Sequence, residues 1–157
     1  ISLKSFPDEV EAMKTMGREE AKDFAKGIYK TNFWDACGAE AVIMEGCGAT
    51  AVQMFDFAIT SGNSTAIALL QSTLNGLGGN GYKWQAVEED GKFGPATMAA
   101  LRAHLIWNKS RSNRPLLLAR AYQSNRAVYY LSLSKHRQTN GKYIDGWLNR
   151  TYSFVLE

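Results

Sequence analysis

Apolar positions recur along this chain at helical rather than strand spacing. Ile67, Leu70 and Leu74, with Gln71 among them, mark one helix with an apolar face. Met98, Leu101, Leu105 and Ile106 mark a second. Between them Asp90-Gly91 reads as a turn, because Gly tolerates positive φ and Asp bonds its own backbone. Pro95 suits a first helical position, where its missing N–H costs nothing, which makes Gly94 the N-cap. The predicted unit is helix, Gly-rich loop, turn, helix, with Phe93 plugging the gap.

The rest of the chain follows the same period. Ser5-Phe6-Pro7-Asp8 starts a short helix or turn towards Met13. Gly17 caps a helix with acids in its first turn and Ala21, Phe24, Ala25, Ile28 and Tyr29 on one face. Phe33 and Trp34 close it, either as core or as a flat platform for a sugar ring. Gly38 to Gly48 reads as a loop. Ala51 to Ile59 reads as a compact buried helix through Val52, Met54, Phe55, Ala58 and Ile59, ended by Thr60-Ser61-Gly62-Asn63. After Trp107 a polar linker is expected from Asn108 to Asn113. Pro115 then opens a long helix whose apolar content is Leu117, Leu118, Ala121, Tyr122, Ala127, Val128 and Leu131. Thr139-Asn140-Gly141 is a turn, and Tyr143, Ile144, Trp147, Leu148, Tyr152 and Phe154 give a last helix with an aromatic face. The class is mainly α, with at most a minor hairpin.

Asp56 stands out on its apolar helix. An unpaired buried carboxylate costs several kcal/mol or shifts its pKa. It either accepts bonds from a neighbouring loop or lines a cleft. Other patterns lead nowhere. Gly76, Gly78 and Gly81 spell G-x-G-x-x-G, but they follow a helix and no βαβ unit surrounds them. The two sequons, at Asn63 and Asn149, have nothing else beside them to suggest a secretory host. Cys37 and Cys47 are too few for a disulfide framework, and whether they pair is open. His104 and His136 lie at no metal-ligand spacing from them, so no metal is expected.

At 157 residues, 45% hydrophobic and 21% charged, the composition is that of a globular chain of one domain or two packed lobes. No apolar run is long enough to cross a bilayer. The first residues carry no signal-peptide pattern, and the absence of an initiator Met predicts a fragment or processed product. The net charge of +3 is uneven. Residues 1–100 hold 8 Lys+Arg against 13 Asp+Glu, and residues 101–157 hold 10 against 2. The basic part suits a polyanion, either nucleic acid or an anionic bacterial wall, or is simply a solvated face.

Two resemblances sharpen this reading. The string L-Q-x-x-L followed by D-G-x-F-G-P-x-T-x-x-A-L resembles the peptidoglycan-binding helical repeat. It is carried by Leu70, Gln71, Leu74, Asp90, Gly91, Phe93, Gly94, Pro95, Thr97, Ala100 and Leu101, with a longer loop than the repeat usually has. Further strings match one family in order: Glu19-Glu20-Ala21 leading to Tyr29 and Phe33-Trp34-Asp35, then Phe55-Asp56-Phe57-Ala58-Ile59-Thr60-Ser61-Gly62, then Gly146-Trp147-Leu148-Asn149-Arg150. With the repeat between them, nearly the whole chain resembles the glycoside hydrolase 108 family, lysozyme-like phage endolysins and bacterial secretion-activator proteins. Thr60 departs from the family's Asn.

The resemblance implies a lysozyme-like helical fold and an N-acetylmuramidase cleaving β-1,4 bonds of peptidoglycan at the periplasm or cell wall. It implies no cofactor, glycan strands as partner, no membrane insertion, no nucleic acid and a monomer. The family's catalytic Glu sits in an E-G-G-Y motif upstream of the segment matching Ile1-Ser2, so no catalytic residue is assigned within this chain. Trp34, Asp56 and Ser61 are the expected substrate-binding residues. Residues 1–50 then belong to the catalytic lobe, and residues 51–157 form a helical lobe containing the repeat, the two packed as one unit. The alternatives are a non-catalytic wall-binding or secretion factor and a basic helical nucleic-acid binder.

Overall fold

The computed structural model describes residue 2, residues 4–111 and residues 114–154. The expectations for Ile1 and for Ser112 and Asn113 of the linker lie outside the described residues, as does the side chain of Arg111. Among the described residues there are eight α-helices and no strand. The mainly α class is therefore as the apolar spacing indicates.

Helices α1 (Pro7–Met13) and α2 (Arg18–Tyr29) begin at Pro7 and after Gly17, where the turn chemistry places them. A π-helical segment, Lys30–Asp35, continues directly from α2 and carries Phe33 and Trp34. Helix α3 (Ala39–Met44) falls inside the stretch expected to be a loop. Its reason is local. Ala39 and Val42 are fully buried one turn apart, and Gly46 ends the helix in the left-handed region. The Cys47 and Gly46 N–H groups then reach back to the Val42 and Ile43 carbonyls in a Schellman motif.

Helices α4 (Gly48–Ser61) and α5 (Asn63–Gly78) meet at Gly62 and pack on one another. Helix α7 (Leu117–His136) lies against both. Helix α8 (Ile144–Tyr152), reached through a 3-10 turn at Gln138–Tyr143, folds back onto α7. Helix α6 (Pro95–Arg111) packs on α5. The core where these meet is built from Met54, Phe57, Leu70, Leu74, Leu101, Leu118, Tyr122 and Tyr130.

Three readings of the pattern are corrected. Helix α6 runs through Asn108–Arg111 instead of giving way to a linker. The reason is that Asn108 is buried and uses its side chain on the returning segment, donating Nδ2 to the Arg114 carbonyl at 2.6 Å and accepting the Arg114 N–H at 3.2 Å. Val52, Ile106, Val128 and Leu131 are exposed, although they read as core. Their places on the inner faces are taken by Gln53, His104 and Arg126, polar groups that the packing holds at 0–3% exposure. The segment Thr139-Asn140-Gly141 is part of the 3-10 turn.

The turn between α5 and α6 explains the repeat string residue by residue. Gln71, 1% exposed, donates Nε2 to Asp90 Oδ1 at 2.9 Å, the Lys92 carbonyl at 3.1 Å and Thr97 Oγ1 at 3.0 Å. Its Oε1 accepts the Gly91 N–H at 2.9 Å. Gly91 has φ +68° and is buried, and a Cβ there would lie 2.6 Å from the Ser64 carbonyl oxygen, so only Gly fits. The Gly94 carbonyl accepts the Met98 N–H, the first bond of α6. Phe93, expected to plug the gap between the two helices, also reaches the N-terminal segment. An added Cβ on Gly38 would lie 2.4 Å from its ring.

Candidate functional site

A surface groove of about 650 Å³ opens between the α2–π segment, α4 and α8. It is lined by the apolar and aromatic side chains Tyr29, Trp34, Phe55 and Ile59 and by the cations Lys26, Lys30 and Arg150. The rings are locked edge to face. Trp34 meets Phe55 at 5.5 Å and 69°, and Tyr29 meets Phe55 at 6.5 Å and 83°. Trp34 Nε1 donates to Glu40 Oε2 at 2.7 Å, which fixes the indole from behind. Trp34 lies in the π-helical segment, a local geometry common at functional sites.

Asp56 lies behind this groove as the hub of an ion-pair cluster. Arg150 of α8 donates Nε to Oδ1 and Oδ2 at 2.9 and 3.1 Å and Nη2 to Oδ1 at 2.5 Å. Arg126 of α7, fully buried, donates Nη2 to Asp56 Oδ2. The Arg126 guanidinium sits among the rings of Phe57, Tyr130 and Phe154, at 5.4, 5.8 and 5.6 Å. Its Nε and Nη1 are buried without a partner. Asp56 thus bonds two helices, α7 and α8, and not a neighbouring loop.

Burial by itself pushes the Asp56 carboxyl up, but the bonds from Arg150 and Arg126 outweigh it and hold the group below the usual carboxylate range. It is an anion at neutral pH and has no proton to give. The folded carboxyl binds its proton less tightly than the unfolded one, so its stabilising effect is complete above about pH 4 and is lost as pH falls below that. The thermal midpoint should therefore fall more steeply as pH drops below about 4 in the native chain than in Asp56→Asn. Parallel curves, measured by circular dichroism, would remove Asp56 from the acid sensitivity.

Of the residues marked in the sequence, the structure brings Trp34 to the groove directly and Asp56 only through Arg150. Ser61, half-buried at the end of α4, is not among the lining residues. Sequence reasoning missed Arg126 and gave Arg150 no role. A signal existed for Arg126, because Tyr122, Arg126 and Tyr130 recur every fourth residue and therefore share a face. The basic surplus of residues 101–157 is also smaller than it reads. Arg126 and Arg150 are bound to Asp56, and Arg102 donates Nε and Nη2 to Glu45 Oε1 at 2.8 and 2.6 Å.

Compared with known families, residues 65–152, more than half of the chain, match the model of the predicted peptidoglycan domain. The chain belongs to this predicted peptidoglycan domain family. No curated protein matches it. The peptidoglycan domain region spans α5 to α8, from the Gln71 hub to Arg150, so of the groove's lining residues it contains Arg150. Trp34, Phe55 and Asp56 precede that region and complete the site. Cys37 and Cys47 are buried free thiols, and burial pushes both up from the ordinary thiol value. No helix among the described residues is long and apolar enough to cross a membrane.

Proposed function

We propose that this chain is the glycan-holding body of a peptidoglycan-degrading glycoside hydrolase of the N-acetylmuramidase, endolysin type, acting at the cell wall or periplasm. The observation that carries the reading is the ring-walled groove at Trp34, Tyr29 and Phe55 in a chain of a peptidoglycan family. Flat ring faces stack on pyranose rings, and an open groove admits a polymer. Trp34 is the platform in this reading, and Asp56 acts by holding Arg150. Residues 1–50 carry the Trp34 side of the groove, and residues 51–157 carry the rest, including the repeat.

The reaction is protonation of the β-1,4 glycosidic oxygen by a carboxylic acid, passing through an oxocarbenium-like transition state. Asp56 is ionised and paired, and among the described residues no carboxylate lines the groove. The acid in this reading is the Glu of the E-G-G-Y motif implied by the family resemblance, which does not occur in these 157 residues. The second reading is a non-catalytic wall-binding or secretion factor, which the family match over residues 65–152 supports equally.

A turbidity assay on purified wall separates the two. A protein extended to include E-G-G-Y should clear the suspension and release reducing-end muramic acid, while the 157-residue chain should only bind. Release by the 157-residue chain, seen by mass analysis of the muropeptides, would sink this assignment of the acid. In the same assay Trp34→Ala should weaken adsorption to wall by about tenfold, the loss of one ring contact of roughly 1–2 kcal/mol. Unchanged adsorption would move the glycan elsewhere on the surface.

A further inference from the structure

The Asp56 cluster is unbalanced. Two guanidinium groups share one carboxylate, which leaves one positive charge in excess. Burying a cation without a full counter-charge is costly unless an anion meets it. Arg126 is fully buried, so no ligand reaches it. Arg150 is half exposed and lines the groove. The excess charge is therefore available to solvent only through Arg150.

The other two cations of the groove are differently placed. Lys26 pairs with Asp23 on an open surface, and Lys30 pairs with Asp35 and with Glu40. Each has acid enough beside it. Arg150 is also the one held rigidly, because Nε and Nη2 are bonded to Asp56 and the carboxylate is pinned from the far side by Arg126. That arrangement leaves Nη1 as the donor for a ligand. A planar guanidinium fixed in this way is a directional carboxylate receptor, which a mobile ammonium is not.

We propose that Arg150 is a carboxylate-recognising residue of the groove, selecting a glycan that bears an acid group beside the ring stacked on Trp34, with Asp56 and Arg126 as its positioning residues. The inference rests on the glycan-binding reading above and adds the charge class of the ligand. Peptidoglycan offers such a carboxylate from two sources, the lactyl group of a peptide-free muramic acid and the stem peptide.

The test uses isothermal titration of the 157-residue chain with three probes. The first is a tetrasaccharide of alternating N-acetylglucosamine and N-acetylmuramic acid with free lactyl carboxylates. The second is its methyl ester, identical but neutral. The third is a muropeptide, whose lactyl carbonyl is an amide and whose free carboxylates lie on the peptide. The free acid or the muropeptide should bind roughly ten- to hundredfold tighter than the ester, as expected for one charge-assisted bond. Which of the two gains the advantage identifies the source.

Arg150→Gln should bring the ratio to about one, and Arg150→Lys should restore only part of it. Trp34→Ala should weaken all three ligands while preserving the ratio, which a general loss of structure does not do. The inference is overturned if neither acid outbinds the ester, or if the preference survives Arg150→Gln. An ester that binds with no acid preference leaves the groove reading standing and removes only the role of Arg150. Failure of all three probes to bind removes both.

Discussion

Asp56→Ala should destabilise the fold by about 3–5 kcal/mol, the cost of leaving a buried charge without its partner. The magnitude follows from Arg126, whose side chain has no exposed surface and, among the described residues, hydrogen-bonds to the side chain of Asp56 alone. Arg150 is half exposed and, once released, rehydrates. Arg126 has no such escape. Its Nε and Nη1 already lack partners, so it has little capacity to find a substitute. Replacing both members by apolar groups, as in Asp56→Leu with Arg126→Met, should recover most of the loss, because an apolar pair has no desolvation cost. Urea unfolding of Asp56→Leu, Arg126→Met and the double variant closes the cycle. Additive losses would show that the ion pair is incidental to the effect.

The second large effect is expected at the repeat turn. Gln71→Leu should cost about 3 kcal/mol or more, although it fills nearly the same volume. The apolar side chain strands the buried Gly91 N–H and takes a donor from the Lys92 carbonyl and Thr97. Each buried polar group left unsatisfied costs roughly 1–3 kcal/mol. Gln71→Glu discriminates between shape and donor chemistry. It keeps the acceptor for Gly91 but faces the Asp90 carboxylate at what is now a 2.9 Å donor contact. It should therefore also destabilise, and more at neutral than at acid pH. A loss of unfolding free energy in urea below about 1 kcal/mol for Gln71→Leu would mean that the hub is dispensable.

These two centres differ in how far they could be read beforehand. The repeat turn was legible, since Asp-Gly, Gly-Pro and the positions of Leu70, Leu74 and Leu101 each carry a local conformational signal. What the string did not disclose was why Gln71 belongs to it. A hydrogen bond spanning 20 residues has no periodicity to betray it. The helices were legible wherever faces were cleanly apolar, as in α5. Reading failed where burial and polarity part company. Val128 and Leu131 are apolar and exposed, while Arg126 is charged and buried, because α7 is contacted on the side that faces α4 and α5. The candidate site was half legible. Trp34 and Asp56 were marked by their strings, but Tyr29, Phe55 and Arg150 become neighbours only when α2, α4 and α8 converge.

Phe93 and Gly38 carry a warning for deletion mapping. The ring of the repeat turn rests on a backbone position four residues from Trp34, at the N-cap of α3, and Trp34 lines the groove. Trimming the chain to residues 65–152 removes the surface on which that ring lies, and deleting the turn removes the support of Gly38. Loss of wall adsorption after either cut would be scored against the piece removed. The contact assigns it instead to a joint that both pieces share. A graft of the repeat onto another helical body would need a side-chain-free position beneath Phe93, or a smaller residue in its place, before its binding could be credited to the repeat itself.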